Sequence, residues 1–225
     1  MAGVFIEPSE SFRSLAAKPR WLVPLLVIIV AVFGQLLVTN EIRMDDLEKQ
    51  VRSNPTYSSE EVQRRLGNIE AQRGPNWNWS GILNGLGFVS IAIIAQVLPT
   101  AFLLWLGLQF SPRRPRFLPL LAVVVMAFLV TIPEAVLTSA LAFFKGTTEI
   151  SLGPAVLLPS EWKHSPLYNL CFQLDIFNVW IGTLVILGLP LASGVSRRLA
   201  AVSVGYLWLV WLLLAMFVGR PIQIT

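Results

Sequence analysis

Long apolar runs alternate with short polar segments along the chain. A helix of about 20 apolar residues is long enough to cross the hydrocarbon core of a bilayer. Five runs of at least that length occur, and together they contain a single charged residue. They lie at residues 21–40, 82–110, 117–144, 176–196 and 199–219. The pattern predicts an all-α polytopic membrane protein, a bundle of five transmembrane helices.

The polar segment at residues 41–73 separates the first two runs and has the pattern of two short helices. Its apolar residues recur at helical spacing until Asn54 and Pro55 interrupt them. Ser58 and Glu61 then have the spacing of a capping box, in which each residue satisfies a backbone N–H of the other at a helix start. We therefore predict a helical hairpin over one mouth of the bundle. The alternative is a charged spacer helix that contacts nothing else.

Two further segments, residues 1–20 and 145–175, contain apolar stretches that are too short to cross a bilayer. The first lacks the compact apolar region and the small-residue cleavage site of a secretory signal, so we expect the run at residues 21–40 to be a retained span. The second holds the stretches ISLGPAVLLP and SPLYNLCFQL, each of which could lie in the interface or re-enter the protein. We expect both segments to be interfacial.

Composition restricts the function. Hydrophobic residues make up 55% of the chain and charged residues 13%, which excludes an ordinary soluble domain and a disordered chain. The single cysteine, Cys171, and the single histidine, His164, are too few for a disulfide or a zinc site, and we favour packing roles for them over a catalytic pair. We expect no enzymatic activity, no cofactor and no metal. The net charge of +4 comes without the basic and aromatic pattern of a nucleic-acid-binding surface, so we expect no nucleic acid.

The basic residues predict an orientation, because such residues concentrate on the cytoplasmic side of membrane proteins. Five crossings place the two termini on opposite sides. The side of the N-terminus has eight basic residues and two acids, whereas the six basic residues of segment 41–73 are outweighed by seven acids. We therefore expect a cytoplasmic N-terminus, with the hairpin and the C-terminus outside.

Two loops on the expected cytoplasmic side carry clusters of arginine, PRRPR at residues 112–116 and SRR at residues 196–198. Such clusters at the inner headgroup layer attract anionic lipids. We expect them to orient the protein and to contact lipid headgroups, in preference to forming a site for a specific partner. The arginines are Arg113, Arg114, Arg116, Arg197 and Arg198.

Glu134 is the one charged residue inside a predicted span. A carboxylate in the bilayer costs several kcal/mol unless it is paired, protonated or hydrated. Pro133 before it cannot donate a backbone hydrogen bond and leaves a carbonyl free one turn earlier. This combination indicates either a proton or ion site or a structural kink held by a neighbouring amide. Asp175 is expected at the outer mouth, where it suits the start of the fourth span. Candidate amide neighbours of Glu134 are Gln35, Asn84, Gln96 and Asn178.

Three stretches carry a resemblance to a known family. They are VFIEPSESFRSLAAKPRWLVPLL at residues 4–26, RFLPLLAVVVMAFLVTIPEAV at residues 116–136, and LDIFNVWIGTLVILGLPLASGVSRRLAAVSVGYLWLVW at residues 174–211. In their order and spacing they resemble the Yip (Ypt-interacting protein) domain family, in particular its bacterial branch.

The resemblance implies a five-helix bundle with a cytoplasmic N-terminus. Eukaryotic relatives act in vesicle trafficking and bind Rab-type GTPases through a long N-terminal region. Only about 20 residues precede the first span here, so we do not expect GTPase binding. We expect a non-enzymatic protein of the bacterial cytoplasmic membrane that organises or binds membrane components, with lipid and a second copy or another membrane protein as partners. The alternative is a small transporter or channel that uses the Pro133–Glu134 break.

Overall fold

The computed structural model describes residues 3–73, 79–159, 162 and 165–218. Its helices are α1 (Gly3–Ile6), α2 (Pro8–Ala17), α3 (Leu22–Val38), α4 (Asn40–Ser53), α5 (Ser59–Gln72), α6 (Trp79–Leu108), α7 (Phe117–Ala127), α8 (Thr131–Lys145), α9 (Pro166–Gln173), α10 (Ile176–Ser193) and α11 (Arg197–Val218). The single histidine, His164, and the predicted end of the fifth span at residue 219 lie outside the described residues.

The predicted all-α membrane bundle is confirmed. Four stretches are long and apolar enough to cross a membrane: α6, α7 continued by α8, α10 and α11. Helix α3 has 17 residues and bends by 60° into the polar helix α4, and together the two form a fifth candidate. Seventeen residues give a length of about 25 Å, close to the thickness of the hydrocarbon core.

The crossings define two ends of the bundle, which we name by what they carry. The hairpin face holds α4, α5 and residues 146–159 and 165–175, because α6, α8 and α10 begin or end there. The arginine face holds the connections 109–116 and 194–196 with the arginines around them.

Helix α7 forms the centre of the bundle. Residues 120–127 are all buried, and a helix that is apolar all round belongs inside a protein. Helices α10, α6, α2 and α3 pack around it. The core is therefore built on one central helix and closed by its neighbours.

Residues 1–20, which we expected to be interfacial, include a helix that packs into this core. Phe12 of α2 is fully buried, and α2 lies along α10 and against α7. The contact depends on Gly188 of α10, where an added Cβ would lie 2.7 Å from Val123 Cγ1 and 2.9 Å from the Phe12 ring. The apolar side of α2 therefore docks on α10, and the interfacial placement of residues 1–20 stays a prediction.

The segment at residues 41–73 forms the hairpin of α4 and α5. Ser58 Oγ accepts a hydrogen bond from the Glu61 N–H at 3.2 Å, which is the Ser58 half of the predicted capping box at the start of α5. The Glu61 carboxylate accepts from Arg65 instead of from the Ser58 N–H. Arg73 pairs with Asp45 at 2.9 Å and with Glu48 at 2.7 Å, so the end of α5 is fastened to α4.

The segment that follows α8 lies on the hairpin face as short pieces. A left-handed Gly146 ends α8, a 3-10 turn covers Pro154–Leu157, and α9 packs against α11. The Leu157 side chain is 84% exposed. These pieces are short and expose apolar side chains, and the interfacial placement of this segment stays a prediction.

Candidate acidic site and arginine face

Glu134 lies in the first turn of α8, immediately after a break in the third span. A single 3-10 turn, Phe128–Val130, separates α7 from α8. Pro133 has no N–H to donate to the preceding turn, and a 3-10 turn tightens a helix where the regular bonding pattern is interrupted. The two halves still continue as one stretch, Phe117–Lys145. The break is therefore a local change of helix type.

Glu134 and Asp175 lie at the same level of the bundle. Helices α7 and α10 run antiparallel and meet where Val123 packs against Gly188. Glu134 follows Val123 by 11 residues and Asp175 precedes Gly188 by 13. At 1.5 Å per residue both acids stand about 16–20 Å from that contact, towards the hairpin face. The carboxylate of Asp175 is close enough to act electrostatically on Glu134.

Asp175 is the N-cap of α10. Its Oδ1 accepts a hydrogen bond from the Phe177 N–H at 2.6 Å, and the Leu152 N–H donates a second one to the carboxylate. Burial raises the pKa of Asp175 above its usual range, while these two backbone donors oppose the rise. The cap also holds the loop after α8 against the start of α10.

Gln35 reaches the same region through Thr138. Gln35 Nε2 donates to Thr138 Oγ1 at 2.9 Å, and the Thr138 hydroxyl donates to the Glu134 carbonyl at 2.8 Å. The amide thus bonds to the turn after the break and ties α3 to α8. This is the geometry of the structural alternative, in which a neighbouring amide holds the kinked helix.

Two of the other amides predicted near Glu134, Asn84 and Gln96, lie elsewhere, and Asn178 bonds within its own part of the chain. Asn84 and Gln96 are exposed on α6, which packs mainly against α7, α3 and α11. Asn178 donates to the Gln173 carbonyl at 3.3 Å, at the junction of α9 and α10. The structure therefore assembles Glu134, Asp175, Thr138 and Gln35, and leaves Asn84 and Gln96 apart from them.

A small cavity lies one turn beyond Glu134. Its volume is about 20 Å³, room for one water molecule. Thr138 was not predicted from the sequence. It follows Glu134 by four residues, a spacing that places both on the same face of a helix and could have indicated it. The cavity is lined by Gln35, Thr39, Thr138, Ala142, Thr148 and Ile150.

Asp46 is a second residue that sequence reasoning missed. Its side chain is almost completely buried in α4, and Oδ2 accepts from the Thr148 N–H at 2.6 Å and from the Thr147 and Thr148 hydroxyls at 3.0 Å. These bonds fasten the hairpin to the loop after α8. The local sequence gives no signal for this role, because the partners are about 100 residues away.

On the arginine face, Arg113 joins the two loops. Its Nη1 donates to the Gly194 carbonyl at 2.6 Å. Gly194 has a φ of +71°, and an added Cβ would lie 3.1 Å from Arg113 Nη1, so glycine suits both the turn and the contact. The four arginines Arg114, Arg116, Arg197 and Arg198 are exposed. The loops therefore present five guanidinium groups at one end of the bundle.

Comparison with protein families shows to which family this chain belongs. The family model described as Yip1 domain matches residues 2–219, nearly the whole chain. The chain belongs to the Yip1 domain family. No significant match was found among curated proteins or among solved structures.

In this Yip1 domain the acidic site consists of Glu134, Asp175, Thr138 and Gln35. It contains two carboxyl groups, a threonine hydroxyl and an amide. Among the described residues, no ion pair involves Glu134, and no group of three His, Cys, Asp or Glu side chains is placed to hold a metal ion. The cavity beside Thr138 has room for one water molecule. The hydrogen bonds of the site also stabilise the break between α7 and α8.

Proposed function

We propose that this member of the bacterial branch is a non-enzymatic protein of the cytoplasmic membrane that organises membrane components by binding anionic lipid at its arginine face. The observation that carries the proposal is the Arg113–Gly194 hydrogen bond, which holds two arginine-bearing loops side by side. Guanidinium groups form paired, charge-assisted hydrogen bonds with phosphate. Five of them on one face match the phosphates of a lipid layer.

The orientation follows from the same residues. Basic residues favour the cytoplasmic side, where anionic lipid gives the membrane a negative surface potential. The arginine face is therefore cytoplasmic, together with Lys18 and Arg20 in the turn between α2 and α3, and the hairpin face is external.

Retention of lipid by the purified protein tests the proposal. We expect the double variant Arg197→Gln/Arg198→Gln to retain less phosphatidylglycerol than the wild type, and both proteins to retain equal phosphatidylcholine, in native mass spectrometry from mixed micelles. The two substitutions leave the hydrogen bond between Arg113 and Gly194 intact, so the loops stay in place.

The matched control carries the same charge change on the hairpin face. Lys49→Gln/Arg64→Gln removes two exposed basic residues there, whose contacts with acids are long, 3.9 Å each. We expect wild-type retention of phosphatidylglycerol in this control. Equal retention in all three proteins would contradict lipid binding at the arginine face.

A second candidate function, a small transporter or channel, is favoured by the position of Glu134 at the level of Asp175, with a small cavity one turn away. The cavity holds about one water molecule and is not lined by Glu134, so conduction would need it to open further. Proton flux into liposomes that contain a pH-sensitive dye tests this function. A flux that Glu134→Gln abolishes and the exposed control Glu70→Gln leaves intact supports transport, and equal fluxes in protein-free liposomes refute it.

A further inference from the structure

The polar side of α2 lies at membrane depth. Phe5 meets the Trp180 ring edge to face at 5.9 Å between centroids, and Phe12 packs at Gly188, so α1 and α2 follow α10 for two turns. Trp180 and Gly188 precede the end of α10 at Ser193 by 13 and 5 residues. At 1.5 Å per residue these contacts lie about 20 and 8 Å inside the span.

The charges of α2 point away from the core at this depth. Glu10 and Arg13 are exposed, whereas Phe12 and Leu15 on the other side of the helix are buried. Among the described residues, Glu10 and Arg13 are in none of the ion pairs. A charged side chain that faces lipid costs several kcal/mol, so this face is expected to have a polar cover.

We propose that the cover is the same face of a second copy of this chain. In a dimer with its two-fold axis along the membrane normal, two α2 helices run parallel and bring identical faces together. Glu10 and Arg13 are one helical turn apart, a step of about 5 Å that two long side chains can bridge. Glu10 then pairs with Arg13 of the partner subunit, and the symmetry makes a second, identical pair.

Small residues near Glu10 and Arg13 allow two α2 helices to approach each other closely. Ser14 and Ala16 are exposed on α2, and small residues let helices in membranes come near one another. The proposal deepens the proposed function by naming a partner, since a dimer would double the arginine face. It depends on α2, which takes no part in the Arg113–Gly194 contact, so the two proposals fail separately.

Cross-linking in liposomes at low protein density tests the proposal. Cys171 is replaced by Ser, and Ser14→Cys supplies one reactive thiol on α2 for a short bismaleimide linker. The control thiol is Ser59→Cys on the hairpin. We expect a dimer band from the first protein and little from the second.

Charge reversal then identifies the pair. Glu10→Arg and Arg13→Glu each place like charges together, and we expect each to raise the dissociation constant of the dimer about tenfold or more, the equivalent of 1.4 kcal/mol. The double variant Glu10→Arg/Arg13→Glu restores opposite charges in both pairs and should return to within about twofold of the wild type. If α2 needed Glu10 and Arg13 for its own structure and not for a pair across the dimer, the double variant would not recover the wild-type dissociation constant.

Three results would overturn the proposal: a monomer at every density, cross-linking that no reversal changes, or a double variant as weak as the single ones. Elution and circular dichroism of each variant show whether it is folded, and the neutral variants Glu10→Gln and Arg13→Gln supply a test without reversed charge. Phosphatidylglycerol retention by the same variants should stay at the wild-type level.

Discussion

Gly188 is the residue on which the docking of α2 depends. An added Cβ would lie closer than 3.0 Å to Val123 and to Phe12, closer than real contacts allow. We expect Gly188→Ala to lower the free energy of unfolding in detergent by about 1–3 kcal/mol, the usual cost of overpacking a core. The control is Gly182→Ala on the same helix, where nothing lies within 4 Å and the substitution should be neutral or mildly stabilising. Equal effects would show that α2 is not docked there.

Thr138 is the residue that links Gln35 to the backbone beside Glu134. Thr138→Val keeps the shape of the side chain and removes the hydrogen bonds of the hydroxyl, which leaves the Gln35 amide without its partner. We expect a loss of about 1 kcal/mol in unfolding free energy. In Thr183→Val the lost hydroxyl donates only to the Val179 carbonyl in its own helix, so that control should change little. If both variants unfold alike, the link between α3 and α8 carries no stability.

At the scale of the element, the helix ends show what local sequence can predict. The fourth run was expected to extend to residue 196, and α10 stops at Ser193 because Gly194 adopts a left-handed conformation. The fifth was expected from residue 199, and α11 begins at Arg197, where Ser196 Oγ accepts from the Leu199 N–H at 3.2 Å. The glycine that ends α10 and the serine that caps α11 were both present in the sequence. Counting apolar residues alone placed the end of α10 three residues too late and the start of α11 two residues too late.

The hairpin of α4 and α5 is held on the bundle by Asp46. Asp46→Ala removes the acceptor of three hydrogen bonds and leaves the Thr148 N–H unpaired. We expect hydrogen exchange of the hairpin and of residues 147–150 to accelerate about tenfold or more, since a lost bond of this kind costs 1–3 kcal/mol, while exchange in α7 stays slow. Glu70→Ala, which removes an exposed acid of the hairpin, is the control. Unchanged exchange in Asp46→Ala would mean that other contacts hold the hairpin.

At the scale of the whole molecule, the bundle could be predicted because bilayer thickness fixes the length of apolar helices. The capping of α5 could also be predicted, because its two residues are three apart. Contacts between distant residues could not: Phe12 meets Gly188, and Asp46 meets Thr148. The acids at 134 and 175 were each singled out, and their common level follows only from how α7 and α10 pack. A single sequence records which residues are polar and does not record which of them meet.

The central claim is that the hairpin face and the arginine face lie on opposite sides of a membrane, with the arginines in the cytoplasm. Labelling of single cysteines tests it most directly, with Cys171 replaced by Ser and either Ser59→Cys on the hairpin or Ser196→Cys between α10 and α11. In intact cells, we predict that a membrane-impermeant maleimide labels the cysteine at 59 and reaches the cysteine at 196 only after permeabilisation. Labelling of both from the same side, or the reverse pattern, would contradict the account.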